Sequence, residues 1–466
     1  SSRIIFTSRE SVPAPGDWDR IYMYGTNNQL SYFDYLYAAN SLRVDGDGSS
    51  SAATNTTIDN GYFANLGSEA YGIYMYNGGG ETISNNNITV LGDNRAIYSN
   101  QTDNISITGN TINAEYGIFV YNATGIYINS NSIEAERWGI HYDQSGQNGR
   151  GGKISNNTIT GMLKEYGIYS QPNYAHGDTI INNSIHRTET PEDCCWGTYF
   201  IRSENHWGIR NDSLGVIKGN TILYDDSTGT NQVWAQQRGI YSNGNKIDSN
   251  YVNIYNNHMN CDQFYSIRSY RSHITRNTLI ATANRHCSSQ YFIHANAQGD
   301  SILIQGNALT LNPGGNDNWE YGIYLDGGGD NIYNVSNNTI NINTHVIARV
   351  IQLKGKTYVY NNTITSTNDQ WGDMIRVDND TESTIYSNVF KMAGSRDDDR
   401  ILKVDQGATV NIYKNTFITQ NQPGIYISTG VTGSVHNNTM VSTNDGNYGL
   451  YVDGSSLNIK NNNIVG

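Results

Sequence analysis

The residues best equipped for chemistry fall between positions 183 and 220. Glu192, Arg202, Glu204 and His206 occur there beside Glu189, Asp193, Arg210 and Asp212, with Trp196 and Trp207 among them. Two carboxylates can divide the work of acid and base, histidine moves protons near neutral pH, and arginine neutralises a developing anion. Tryptophan adds a flat apolar face for a sugar ring. That mixture reads as a polysaccharide site, with the paired carboxylates that glycoside hydrolysis needs. A surface loop laced with local ion pairs uses the same residue types. His141, in Trp138-Gly139-Ile140-His141, is one more candidate base. At the same offset other copies carry Tyr74, Phe119 and Tyr169, so His141 reads equally well as one rung of an aromatic stack. Arg268 and His294 interrupt that ladder further on.

Two acidic runs alternate oxygen ligands as hard cations require: Asp45 and Asp47 in Asp-Gly-Asp-Gly-Ser, and Asp378 and Asp380 in Asp-Asn-Asp-Thr-Glu. Ca²⁺ is the cofactor they would take, although solvated turns have the same composition. Nothing else in the chain asks for a cofactor. Cys261 and Cys287 each stand four residues before a tyrosine, Tyr265 and Tyr291. If those tyrosines begin equivalent strands in neighbouring coils, the two thiols come within disulfide reach. Free buried thiols are the alternative. Cys194 and Cys195 are adjacent, and neither pair has metal-site spacing.

What would position these groups is a repeat. The pattern aliphatic-x-x-Asn-x-aliphatic recurs from Ile83–Ile88 to Ile459–Ile464. Its asparagines are Asn86, Asn110, Asn131, Asn157, Asn183, Asn220, Asn250, Asn277, Asn307, Asn338, Asn362, Asn388, Asn415, Asn438 and Asn462; fourteen steps span 376 residues, about 27 per copy. Ile58–Phe63 is an earlier copy with Gly61 where the asparagine would stand. Between copies run Tyr-Gly-Ile-Tyr and its variants, short β-prone pieces bounded by Asn and Gly. Leucine-rich repeats need leucines that are missing here, and no 3.6-residue periodicity marks a helical repeat. Short strands at this period predict an all-β parallel β-helix of about sixteen coils. Isoleucines should stack into a continuous core. The asparagines should form an amide ladder at one turn, where Asn tolerates left-handed backbone and satisfies turn groups. Residues 1–54 lack the motif and are expected to cap the first coil, leaving 55–466 as the β-helix.

This repeat resembles that of the right-handed parallel β-helix family, which includes pectate-lyase-like enzymes and the periplasmic copper-site protein NosD. The resemblance concerns the fold, over roughly residues 55–466. Many members act on polysaccharides, and what the resemblance implies for activity is checked by their motifs. The Asn-Thr-Asp, Asp-Asp and Gly-His-Gly set of pectin hydrolases is absent. So are the Asp-Pro-His of alginate epimerases and the Asn-Asn-Arg-Lys-Arg run of one alginate-lyase family. No Met/His cluster suggests copper.

Composition narrows the partners. The chain has 466 residues, 64 of them Asn and 35 Tyr, and only 15% are charged, with net charge −13. That balance argues against nucleic acid, which needs a basic face, and no apolar run is long enough to span a membrane. Asn-X-Ser/Thr triplets such as Asn156-Asn157-Thr158 follow from the repeat, and outward ones could carry glycans. The first residues, The expectation is therefore an extracellular or cell-surface structural or surface-interaction protein, such as a filament or appendage subunit or an adhesin-like passenger. Its expected partners are copies of itself stacked head to tail, a longer parent chain, or surface glycans. The alternatives are a polysaccharide lyase or glycoside hydrolase and a glycan-binding spike; the sequence leaves catalysis open and leans against it.

Overall fold

A computed structural model describes residues 2–46, 54–68, 70–143, 151–171, 177–187, 198–204, 215–226, 237–256, 264–283, 289–313, 319–327, 330–343, 349–367, 372–393, 400–420, 423–443 and 448–466; at 198–204 and a few other strand ends only the backbone is described. The described residues are all-β, without helices, and the strands pair in parallel with the equivalent strand one repeat away: a parallel β-helix. The chain divides into two compact units, residues 1–191 with 198–223, and residues 192–197 with 224–466.

In the first unit three columns of isoleucine run from coil to coil. Ile83, Ile107, Ile128, Ile154, Ile180 and Ile217 stand in register. Ile88, Ile112, Ile133, Ile159 and Ile185 form the second column, and Ile73, Ile97, Ile118, Ile140 and Ile168 the third. All are buried. A β-branched side chain fits the pleat of a strand, and each contributes about 1.5–3 kcal/mol by leaving water. The second unit repeats the plan from Ile247, Val252 and Ile240, with Phe390 and Phe417 as larger members of one column.

The parallel ladder already runs inside the first 54 residues. Ile4–Phe6 pairs with Phe33–Tyr35, Tyr22–Tyr24 with Arg43–Asp45, and Gln29–Ser31 with Thr57–Asp59. These strands lack the asparagine motif, yet their alternation sends Phe33, Tyr35 and Val44 inward.

Each motif asparagine is buried, and its Oδ1 accepts both the backbone N–H and the side-chain Nδ2–H of the asparagine one coil before. This links Asn86 through Asn110, Asn131, Asn157 and Asn183 to Asn220 in the first unit. In the second unit it runs from Asn250 through Asn277, Asn307, Asn338, Asn362, Asn388, Asn415 and Asn438 to Asn462. Six coils and nine coils carry the ladder, slightly fewer than the sixteen expected. The expectation gave one residue both of the turn's tasks; two neighbours share them. The left-handed backbone belongs to the preceding residue, as at Asn85, Ser130, Asn156, Arg276 and Lys414, all near φ +55°. At the copy lacking asparagine, Gly61 N–H donates to Asn86 Oδ1 at 2.8 Å. The Phe33 ring fills the vacated space, since a Cβ on Gly61 would lie 2.5 Å from Phe33 Cζ.

Candidate functional site

Outward residues form columns of their own. In the first unit Arg43, Tyr74, Tyr98, Phe119, His141 and Tyr169 occupy one register position. Tyr98 and Phe119 lie 5.3 Å apart and nearly parallel, at 6°. His141 sits between Phe119 at 4.5 Å and Tyr169 at 4.7 Å, with Trp138 edge-on at 4.9 Å. The Arg95 guanidinium is packed among the rings of Tyr71, Tyr98, Tyr116 and Phe119. These contacts consume ring faces: a ring stacked on the next coil offers solvent its edge. Another such column in the second unit stacks Tyr360, Tyr386, Tyr413 and His436 at 5.0–5.2 Å.

The second unit carries a different strip. Arg268, His294, Tyr324, Gln352, Arg376, Lys403 and Tyr426 share one position on the strands from Phe264–Tyr270 to Ile425–Ile427. Two residues further along lie Asp326, Lys354, Asp378 and Asp405. Along this strip opposite charges meet between coils. Arg376 Nε donates to Asp405 Oδ2 at 2.6 Å and lies 3.7 Å from Asp378 Oδ1. Gln352 Nε2 donates to Asp378 Oδ2 at 2.5 Å, and Arg349 Nη1 to Gln352 Oε1 at 2.8 Å. Lys354 Nζ donates to the Tyr324 hydroxyl at 2.8 Å, and Lys356 meets Glu382 at 2.9 Å. Like charges stacked one coil apart would repel, so alternation is what a charged column needs.

These side chains wall a groove of about 980 Å³, lined by residues 330–332, 349–356, 376–382 and 405. Beside it Asp373 is 7% exposed. Burial pushes its carboxyl up to about 6 against the pull of Lys403, Arg400, Arg376 and Arg349. The hydrogen bond from His294 holds Asp326 below the usual carboxylate range, and burial lowers His294. His294 Nε2 lies 3.4 Å from Asp326 Oδ2, while its ring is sandwiched by Tyr265 and Tyr291.

The residues singled out in the sequence are dispersed. Glu192 and His206 lie outside the described residues, as do Asp47, Cys261, Cys287 and the pair Cys194–Cys195. Arg202 and Glu204 lie on the strand Thr198–Glu204, where Arg202 continues the His141 column next to Tyr169. Asp45 is clamped by Arg43, Nε and Nη2 both at 2.8 Å, and accepts the Tyr22 hydroxyl at 2.7 Å, so its oxygens are engaged without a metal. Asp378 and Asp380 line the groove; Asp378 is held by Gln352 and Arg376, and Asp380 stands on a turn at φ +58°. Among the described residues no three His, Cys, Asp or Glu side chains converge as a metal site would require. The strands of Tyr265 and Tyr291 do pair as neighbours, Tyr265 opposite Tyr291. The groove residues Arg349, Gln352, Arg376 and Asp405 were not singled out; the signal was their common offset from successive motif asparagines.

Fold and columns define the class: a parallel β-helix repeat protein. Within it, a family described as "Periplasmic copper-binding protein (NosD)" matches residues 26–149, a minority of the chain. That stretch holds one histidine, the stacked His141, one methionine, the buried Met75, and no cysteine. It does not supply the soft and imidazole ligands that copper takes. Among solved structures, a PL6-family alginate lyase, AlyGC, is 8% identical, with 100% of this chain and 89% of that one covered at TM-score 0.19. A tailspike protein of the E. coli bacteriophage HK620 is 9% identical, with 94% and 72% covered at TM-score 0.20. Likenesses this slight carry no argument about activity. No curated protein matches the chain.

Proposed function

We propose that this chain is a structural or surface-interaction β-helix protein of the cell envelope or exterior. The observation that carries the reading is the closure of the outward columns on themselves. Rings cover rings and cations meet carboxylates of the next coil, so these strips harden the solenoid and leave few side chains poised over a reacting bond. The periplasmic description of the matching family supports the location, as does a net charge of −13 spread over a Tyr- and Asn-rich surface. No helix among the described residues is long and apolar enough to cross a membrane. Cell fractionation with a polysaccharide-degradation screen tests this. Recovery in the envelope or medium with no turnover is expected; a cytoplasmic protein, or one that cleaves a polysaccharide, overturns it.

A finer part of the proposal concerns coil-on-coil addition. The outermost described coils expose Ile4 (52%) and Ile5 (61%) in one unit and Ile464 (54%) and Val465 (51%) in the other. Unpaired strand edges with apolar side chains invite another strand, from a second copy or a further stretch of the same protein. Sedimentation of the natural full-length protein over a range of concentrations should show assembly; a monomer throughout contradicts self-stacking.

A further inference from the structure

We propose that the groove on the second unit is a binding site for a neutral, hydroxyl-rich glycan strand; this rests on the surface-interaction reading and names what the surface takes. The groove, about 980 Å³, lies at the upper end of the ~300–1,000 Å³ typical of ligand sites. Four successive coils contribute to its wall, so it runs across coils. With coils about 4.8 Å apart, each step is close to the length of one sugar ring in an extended chain.

The wall selects the ligand class. Ile332 is its one apolar side chain, whereas a protein partner needs aromatic or aliphatic pockets for its anchoring residues. Its cations are matched: Arg376 with Asp405 at 2.6 Å, Lys356 with Glu382 at 2.9 Å. A uronate or phosphate would have to pull Arg376 from Asp405, and a divalent cation would have to displace Arg376 or Lys356. A neutral polyol displaces neither. It donates to the spare lone pairs of Asp378 and Asp405 and accepts from remaining N–H groups, and these planar groups are already fixed in place by one another, which lowers the ordering cost of binding. The ring face of Tyr324 lies beneath Lys354, 5.0 Å from the centroid, so recognition proceeds by hydrogen bonds more than by stacking.

The test is calorimetric titration of the purified full chain with neutral tetra- to hexasaccharides (gluco-, manno- and galacto-series) and with uronate oligosaccharides. A neutral series should bind with an affinity nearly unchanged from low to high salt. Gln352→Ala should weaken it about tenfold. Asn379→Trp, which removes no partner of the charge network and fills the groove from an exposed position, should abolish it with the melting temperature preserved. No binding of any neutral series overturns the proposal, as does binding that survives Asn379→Trp, or binding of uronates alone with steep salt dependence. A negative titration for a protein found at the cell exterior sinks the glycan site and leaves the surface-interaction reading standing.

Discussion

Asn183 Oδ1 receives two hydrogen bonds from Asn157, one from the backbone N–H and one from Nδ2, each at 3.0 Å. Asn157 Nδ2 also donates to Ile128 O at 3.1 Å, and Asn157 Oδ1 in turn accepts from Asn131 N and Nδ2. Every polar atom of the amide is used, inside the core. Asp could accept and not donate, and Gln would be one methylene too long.

Asn157→Ala should therefore cost about 2–5 kcal/mol, because the Asn131 donors and Ile128 O are left unpaired in the interior. Asn157→Asp keeps the acceptor but places a carboxylate beside Asn183 Oδ1, so its loss should be larger at pH 8 than at pH 4. Urea unfolding at both pH values checks this; equal losses for Asp at both would contradict the rung geometry.

Two buried acids give the first unit a pH dependence. Glu81 accepts from Gly79 N at 2.9 Å and from the Thr54 hydroxyl; Asp178 accepts from Gly152 N at 2.6 Å and from the Ser170 hydroxyl. Burial pushes both carboxyls up to about 7 from ordinary values of 4.5 and 3.8. The folded chain then holds protons that the unfolded chain has released. The stability from these groups is complete below about pH 4 and declines as pH rises to 7. Asp178→Asn keeps an acceptor for Gly152 N–H and cannot ionise. Its melting temperature relative to the parent should rise between pH 5 and pH 8; a constant difference refutes the assignment.

Gly433 stands in a strand at φ +125°, and a Cβ there would lie 1.8 Å from Val410 O. Gly433→Ala must move backbone, and a loss of about 2–4 kcal/mol is expected from clash and strain together. A thermal melt matching the parent would show that the coil closes differently.

His141 separates a catalytic role from a rung. As a rung between Phe119 and Tyr169, it should tolerate His141→Tyr within about 1 kcal/mol, while His141→Ala loses about 1–3 kcal/mol of stacking and burial. Any polysaccharide turnover lost in both variants at unchanged stability would make it a catalytic group instead.

The sequence made the coil legible because the repeated elements are local. Six residues, from Ile154 to Ile159, contain both stacking isoleucines and the rung asparagine. Even the exception at Gly61 was visible as a gap in the pattern. The strands of the first 54 residues were not legible, because Phe33 and Tyr35 enter the core without the asparagine that marks other coils. The groove was hidden for a different reason. Density of charge along the chain drew attention to residues 183–220, whereas Gln352, Arg376 and Asp405 come together only because coils repeat about every 27 residues. A column is seen by reading down the register, and the register is a property of the fold.

Immunogold electron microscopy of intact source cells, using an antibody to the full chain, tests the central claim most directly. Label on the outer surface, in the envelope or on shed material is predicted. Label confined to the cytoplasm would contradict the account.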